Sequence, residues 1–281
     1  MTTHEPYDAM IERFRREGAD LVTVARPPSS ACAVVRMNDP ARLNALSGPL
    51  TVRLRDELEA LVADPSLRTI VLTGAGGTFS AGGDLRLMRD TAWPLLASAE
   101  GAPALWRWIR TQFGGIVRLL TQSDKTFIAA VDGSAAGVGL SFALACDLVL
   151  LSSRARLHTA FGRIGLVPEV GLSWLLTRRL GHARTFELFL SGEPLTPDEA
   201  VRLGLANAVH PPDALEEAAL DWCRRIQKVP EHAVRMAKPL LRAAADLSWH
   251  HALLTEEFAE PSCFSTTTHR EAVSALLSGR R

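Results

Sequence analysis

Residues 69–88 read TIVLTGAGGTFSAGGDLRLM. TIVLTG is a short apolar run, the kind of strand that is buried on both faces of a parallel sheet. Glycines and small residues from Gly74 to Gly83 then strip the following turn of side chains, and Asp84 opens a helix. Glycine in a turn costs backbone entropy, and the usual compensation is close approach, with bare N–H groups facing a ligand. Further along, residues 127–147, FIAAVDGSAAGVGLSFALACD, repeat the plan of buried strand, small-residue turn and helix. Each turn sets a backbone N–H near a helix N-terminus, where the dipole favours negative charge. Two such amides aimed at one point form an oxyanion hole for a carbonyl oxygen that gains charge in a reaction. Tight packing alone explains one small-residue loop well, and explains both together less well.

The rest of the chain sets the frame. Its 281 residues suit one large domain or a domain with an appendage. At 47% hydrophobic and 22% charged residues, an ordinary packed core is expected. Acidic and basic residues balance at 31 each, so no global field favours nucleic acid or an anionic membrane. Cys32, Cys146, Cys223 and Cys263 are scattered without a C-x-x-C pair, which points to no metal site and to a reducing cytoplasm. The polar N-terminus does not read as a signal peptide, and no apolar run reaches membrane-spanning length.

Residues 1–20 read as an N-terminal extension with a weak helical pattern over 5–18. LVTVARP and ACAVVRMND, separated by PPSS, predict a hairpin. Ser47 is placed to cap the helix that follows it. A helix after Asp84 is expected to break near Pro94, and a long helix to run from Ala102 to Asp124. LVLLSS and ARLHTA read as strands. Strands and helices thus alternate over residues 21–205, and helices alone are expected over 206–281.

Common motifs fail on their details. The loop at Gly74 has Phe79 where a dinucleotide fingerprint requires glycine, and it lacks the G-K-[ST] of a P-loop. GLSFA at 139–143 lacks the last glycine of a nucleophile elbow, and Ser141 lies inside the helix. His250 and His251 are adjacent on a helix and diverge, so they are no metal pair. Asp132 and Asp147 read as structural, Asp84 as a cap, and His158 as a satisfied strand histidine.

The motifs together resemble one family. F79-S-A-G-G-D-L85 is similar to the F-[SA]-A-G-x-D-[LI] motif of the enoyl-CoA hydratase/isomerase (crotonase) family. V131-D-G-S-A-A-G-V-G-L140 with C146-D147 resembles its second signature, and A160-F-G-R-I-G-L-V-P-E-V-G171 the segment after it. R42-L-N-A-L46 and S191-G-E-P-L-T-P-D-E-A-V-R-L-G-L205 fall in family order around them. The resemblance implies an α/β fold: a crotonase-like spiral of ββα turns with a helical C-terminal region. That region would serve trimerisation or cover the active site, in a homotrimer or dimer of trimers. It implies an acyl-CoA thioester as substrate, and no cofactor or metal beyond the CoA carried by the substrate. Carried over by position, the oxyanion donors are the N–H groups of Ala81 and Val138. Arg42, Asn44, Ala45, Ser80, Gly82, Gly83, Asp84, Leu85, Gly137, Ser141 and Phe161 are the substrate- or CoA-binding candidates.

Hydratases of this family carry two glutamates, and their places fall on Ser141 and Phe161 here. Neither side chain is an acid or base at neutral pH. Glu169 remains, at a position where the family's double-bond isomerases carry a carboxylate. One carboxylate suffices to move a proton between C2 and C4 of a thioester whose enolate rests in an oxyanion hole. The competing reading is that Glu169 caps the helix of LSWLL. The expectation is an enoyl-CoA isomerase; a hydratase with an atypical acid or base and a non-catalytic acyl-CoA-binding protein are the alternatives.

Overall fold

A computed structural model describes residues 5–28, 30–98 and 101–279. The start of the expected N-terminal extension (1–4), Ser29 of the PPSS turn and the last two residues of the SGRR tail lie outside them. The chain begins with α1 (Tyr7–Glu17), then β1 (Val22–Ala25), β2 (Cys32–Met37), α2 (Gly48–Ala63) and β3 (Thr69–Gly74). Next come α3 (Leu85–Leu87), α4 (Trp93–Leu96), α5 (Gly101–Trp108) and α6 (Gly114–Gln122), followed by β4 (Thr126–Val131), β5 (Ser134–Ala136) and α7 (Val138–Ala145). After β6 (Leu148–Ser152) and β7 (Arg156–His158) the chain enters α8 (Leu172–Ser191), α9 (Pro197–Arg202), β8 (Ala208–His210) and α10 (Leu215–Gln227). The last helices are α11 (Glu231–Ala244), α12 (Trp249–Phe264) and α13 (Thr267–Leu277).

Six strands form one sheet in the order β1-β2-β3-β4-β6-β8. The predicted hairpin is there: β1 runs antiparallel to β2, with Val24 opposite Val35. The other neighbours are parallel. Every residue of β3 and β4 is buried, as strands covered on both faces must be. A second layer repeats beside this sheet. Leu46 bridges Gly83, Ser80 bridges Ala135, β5 pairs with β7, and Leu157 bridges Leu195. Each turn of the chain therefore lays down a strand in the large sheet, a short strand or bridge in the second layer, and then a helix. That is the ββα spiral expected from the resemblance.

Four local expectations need correction or refinement. Residues 206–281 are not helical alone, because β8 adds to the sheet edge. Asn207 N–H donates to the Val149 carbonyl at 2.8 Å, and Val149 N–H donates back to Asn207 Oδ1 at 2.8 Å. Three residues give no readable periodicity; the open edge of β6 creates the strand. Pro94 does not break its helix. The backbone stays helical from Leu85 through Leu96, and the turn just before the proline, Met88–Ala92, is π-helical. The long helix is present but divided by a second π-helical turn, Ile109–Phe113. Finally, α1 is more than an extension: Tyr7, Met10, Ile11 and Phe14 join the main hydrophobic core. The Ser47 cap is as expected, with Leu50 N–H donating to its Oγ at 3.3 Å.

The chain divides into two compact units, Met1–Trp222 and Cys223–Arg281. The site described below lies wholly in the first. In the second, Ser248 and Thr266 cap α12 and α13 by accepting from the N–H groups of His251 and His269. Cys32, Cys146 and Cys223 are buried, and none of the four cysteines forms a disulfide. Among the described residues no helix is long and apolar enough to cross a membrane.

Candidate active site

The glycine loop is held from within. Asn44 is fully buried, with Nδ2 donating to the carbonyls of Ala75 (2.9 Å) and Thr78 (2.6 Å) while Oδ1 accepts from Asp39 N–H (2.8 Å). Ser80, also fully buried, donates to the Asn44 carbonyl at 2.8 Å and accepts from Gly82 N–H at 3.1 Å. These two side chains spend their polar atoms on the loop, so any part they play toward a substrate is to shape its backbone. Gly82 has φ +90°, and a Cβ there would lie 2.6 Å from the Ala136 carbonyl oxygen. Gly82→Ala therefore combines left-handed strain with a backbone clash. We expect a loss of about 1–3 kcal/mol, read by chemical denaturation.

The amides of this loop differ from the expectation in one place. Ala81 N–H donates to the Leu43 carbonyl at 2.9 Å, so it is not available to a ligand. Two residues on, Gly83 N–H has no partner among the described residues, and Gly83 lies on a cavity wall. The alternation follows from the bridge between Leu46 and Gly83: Leu46 N–H takes the Gly82 carbonyl, and the Gly83 amide points the other way. In the second loop, Gly137 (φ +51°, ψ −122°) turns the chain into α7 and donates its own N–H to the His158 carbonyl at 3.1 Å. Phe161 packs over it, its ring 3.7 Å from where a Cβ would stand. Val138 is the first residue of α7, and its N–H, an orphan of the helix N-terminus, has no partner among the described residues. The two loops abut: the same imagined Cβ on Gly82 stands 3.6 Å from Gly137 Cα, and one on Gly139 would strike Ser80.

Glu169 precedes α8 but does not cap it. The cap residue is Gly171, without a side-chain bond to the helix. The Glu169 main chain is fixed instead. Its carbonyl accepts from Leu172 N–H (3.1 Å) and from the fully buried Ser141 hydroxyl (3.2 Å), and Val170 behind it takes φ +57°. A β-branched residue in that region is strained, and such strain clusters at functional sites. Ser141 thus links α7 to the carboxylate-bearing turn. The Glu169 carboxylate is half-buried and has no hydrogen bond or ion pair among the described residues. Burial alone pushes its pKa above the ordinary 4.5.

That shift has a consequence for stability. Folding favours the protonated form, so this stabilisation is complete below the ordinary pKa and fades as the pH rises through the raised one. Glu169→Gln is neutral throughout. It is expected to be more stable than the natural protein at pH 8 and equal to it at pH 4. Urea unfolding at the two pH values checks the sign.

The carboxylate opens into a cavity of 340 Å³. Its walls are apolar except for Gly83, Asp84, Thr91 and Glu169. Both π-helical turns line it, the first through Met88, Thr91 and Ala92 and the second through Ile109 and Phe113. Wide π turns often mark functional sites, and nothing in the residue pattern reveals them. Trp93 and Trp108 also face it. Asp84 lies on the wall but accepts from Arg86 N–H at 2.8 Å, the capping role expected of it. Arg42, Ala45 and Leu85 are on the outer side of these loops, with Arg42 and Leu85 exposed and Ala45 half-buried. The remaining candidates are elsewhere engaged. Asp132 pairs with Arg154 (Oδ1 to Nε 2.7 Å), which holds its carboxyl below the usual range, and Asp147 accepts from Phe127 N–H. Burial, then Arg163, lowers the pKa of His158. Among the described residues no three His, Cys, Asp or Glu side chains are grouped to hold a metal ion.

Comparison with known proteins agrees with this arrangement. The sequence model of the family described as Enoyl-CoA hydratase/isomerase matches residues 28–280. The chain is 31% identical to the 1,2-epoxyphenylacetyl-CoA isomerase of Escherichia coli K12 over 87% of its own length and 91% of the relative's. It is also 31% identical to the 2,3-dehydroadipyl-CoA hydratase of the same organism, over 88% and 92%. The crystal structure of an enoyl-CoA hydratase/isomerase from Cupriavidus metallidurans CH34 superposes with TM-score 0.84 at 32% identity, covering 93% of this chain and 94% of that one. The spiral, the paired glycine loops and the matched family together show that the chain belongs to the enoyl-CoA hydratase/isomerase family.

Proposed function

We propose that this protein moves the double bond of an enoyl-CoA thioester, with Glu169 as the sole proton carrier. The observation that carries this reading is the unpaired, half-buried Glu169 carboxylate on the wall of an apolar cavity that also exposes Gly83. The thioester oxygen would accept from the N–H groups of Gly83 and Val138, the two amides left unpaired where the loops abut. Glu169 takes a proton from C2 of a 3-enoyl thioester, the electron pair spreads to the oxygen as a dienolate, and the proton returns at C4. The product is the 2-enoyl thioester. Charge develops at the oxygen only in the transition state, so fixed amide dipoles stabilise it selectively. A raised carboxyl pKa brings the base closer to the working pH, which strengthens its proton affinity. The exposed segments at Arg42 and Leu85 would border the CoA portion outside the cavity.

A second reading has one observation in its favour. Asp84 shares the cavity wall with Glu169, and two carboxyl groups are what water addition would need. The test is incubation of 3-enoyl-CoA and 2-enoyl-CoA in deuterated water. Isomerisation with deuterium entering C2 or C4, and no 3-hydroxyacyl product, supports the proposal. Rapid formation of 3-hydroxyacyl-CoA sinks it in favour of hydration.

A further inference from the structure

The N-terminal helix reaches the candidate site. Met10 and Phe14, one helical turn apart on α1, line the same cavity as Gly83 and Glu169. Several interactions fix the helix there. Phe14 packs edge-on against Trp108 at 5.8 Å, and lies so close to α2 that a Cβ on Gly48 would fall 2.4 Å from its ring. Tyr7 Oη is 2.7 Å from Thr111 Oγ1 and accepts from Gln112 Nε2 at 3.3 Å, both on the π turn. Arg107 stacks over the Tyr7 ring at 4.1 Å and pairs with Asp8 at 2.9 Å, while Arg15 pairs with Asp56 at 2.6 Å. Aromatic contacts then run on from Trp108 to Phe113 and from Phe113 to Phe142 in α7, the helix that begins with the Val138 amide.

The cavity's chemistry is one-sided. Among the described residues no lysine, arginine or histidine lines it, and the charged groups on its wall are two carboxyls, Asp84 and Glu169. A carboxylate at the far end of an acyl chain would be desolvated there without a partner, beside like charges. At 340 Å³ the cavity is near the small end of the roughly 300–1,000 Å³ of ligand pockets. We propose that α1 is a substrate-selecting wall: Met10 and Phe14 close the acyl cavity and restrict it to uncharged hydrocarbon acyl groups of medium length. This rests on the thioester occupying the cavity as argued above, and not on the isomerisation step.

Titration calorimetry with saturated acyl-CoAs from acetyl to dodecanoyl, and with adipyl-CoA, tests it without any turnover. Affinity is expected to rise by up to roughly fourfold per buried methylene to a limit at medium length, with adipyl-CoA at least about tenfold weaker than hexanoyl-CoA. Met10→Phe should shorten that limit and Met10→Ala should lengthen it. Because the two substitutions act in opposite senses, either one that retains its folding transition decides the matter. A chain-length limit that stays fixed in a folded variant, or adipyl-CoA binding as well as hexanoyl-CoA, overturns the proposal. Loss of isomerase activity with the length profile intact would instead remove only the reaction assigned above.

Discussion

Glu169→Gln is expected to lower isomerisation and α-carbon deuterium exchange by about 10²–10⁴-fold, the range for loss of a positioned acid–base group. The substitution keeps size and shape while removing the proton acceptor. The main chain at this position is held by bonds from Ser141 and Leu172 to its carbonyl, not by the side chain, so the loop should keep its course. Affinity for a saturated acyl-CoA should therefore change little. The loss should appear in kcat and not in KM, since the carboxylate acts in the transition state. In the natural protein the acid limb of kcat/KM should lie above the ordinary carboxyl value, because burial raises the free enzyme's carboxyl. Exchange that survives Glu169→Gln would move the base elsewhere, with Asp84 the remaining carboxyl on the cavity wall.

Val138→Pro should cost about 10²–10³-fold in kcat, the effect of deleting one oxyanion-hole donor. Proline removes the N–H and sets its ring Cδ in the hydrogen's place, while the ring keeps part of the buried Val138 bulk. Val138 is the first residue of α7, where proline's fixed φ suits the helix and the amide has no helical partner to lose. Val138→Ala is the control. It keeps the N–H but loses buried side-chain contacts, so it should lower stability while leaving kcat within a few-fold. If proline and alanine reduce kcat alike, the Val138 amide is not an oxyanion donor. Proline at residue 81 offers no comparable test, since the Ala81 N–H already serves the Leu43 carbonyl and its loss would loosen the loop itself.

Much of the fold was legible because local chemistry is strong where it matters. Apolar runs such as TIVLTG and TFIAAV must be covered on both faces, and only a parallel sheet flanked by helices does that. Small-residue turns after those strands are visible at a glance, and so is Ser47 at a helix start. The three-residue β8 was not legible, because its strand character comes from the open edge of β6. Neither were the π turns: an extra residue in a helical turn leaves the composition unchanged, and the packing around the cavity decides it.

The site divides along the same line. By itself the sequence determined that two glycine-rich turns precede helices, that a carboxylate, Glu169, follows them, and that Ser141 and Phe161 cannot serve as acid or base. Those are statements about which residue types are present, and chemistry follows from type. Which amide is free was decided only by tertiary structure. Ala81 and Gly83 are both small residues in one loop, and the pairing of Leu46 beside them directs one N–H inward to Leu43 and leaves the other unpaired. The same holds for α1. Its helical pattern was weak and read as an extension, and only the packing of Phe14 against Gly48 and Trp108 shows that α1 has a buried face that forms part of the cavity wall. A backbone donor's availability and a side chain's neighbour both depend on contacts distant in sequence, and no local pattern encodes them.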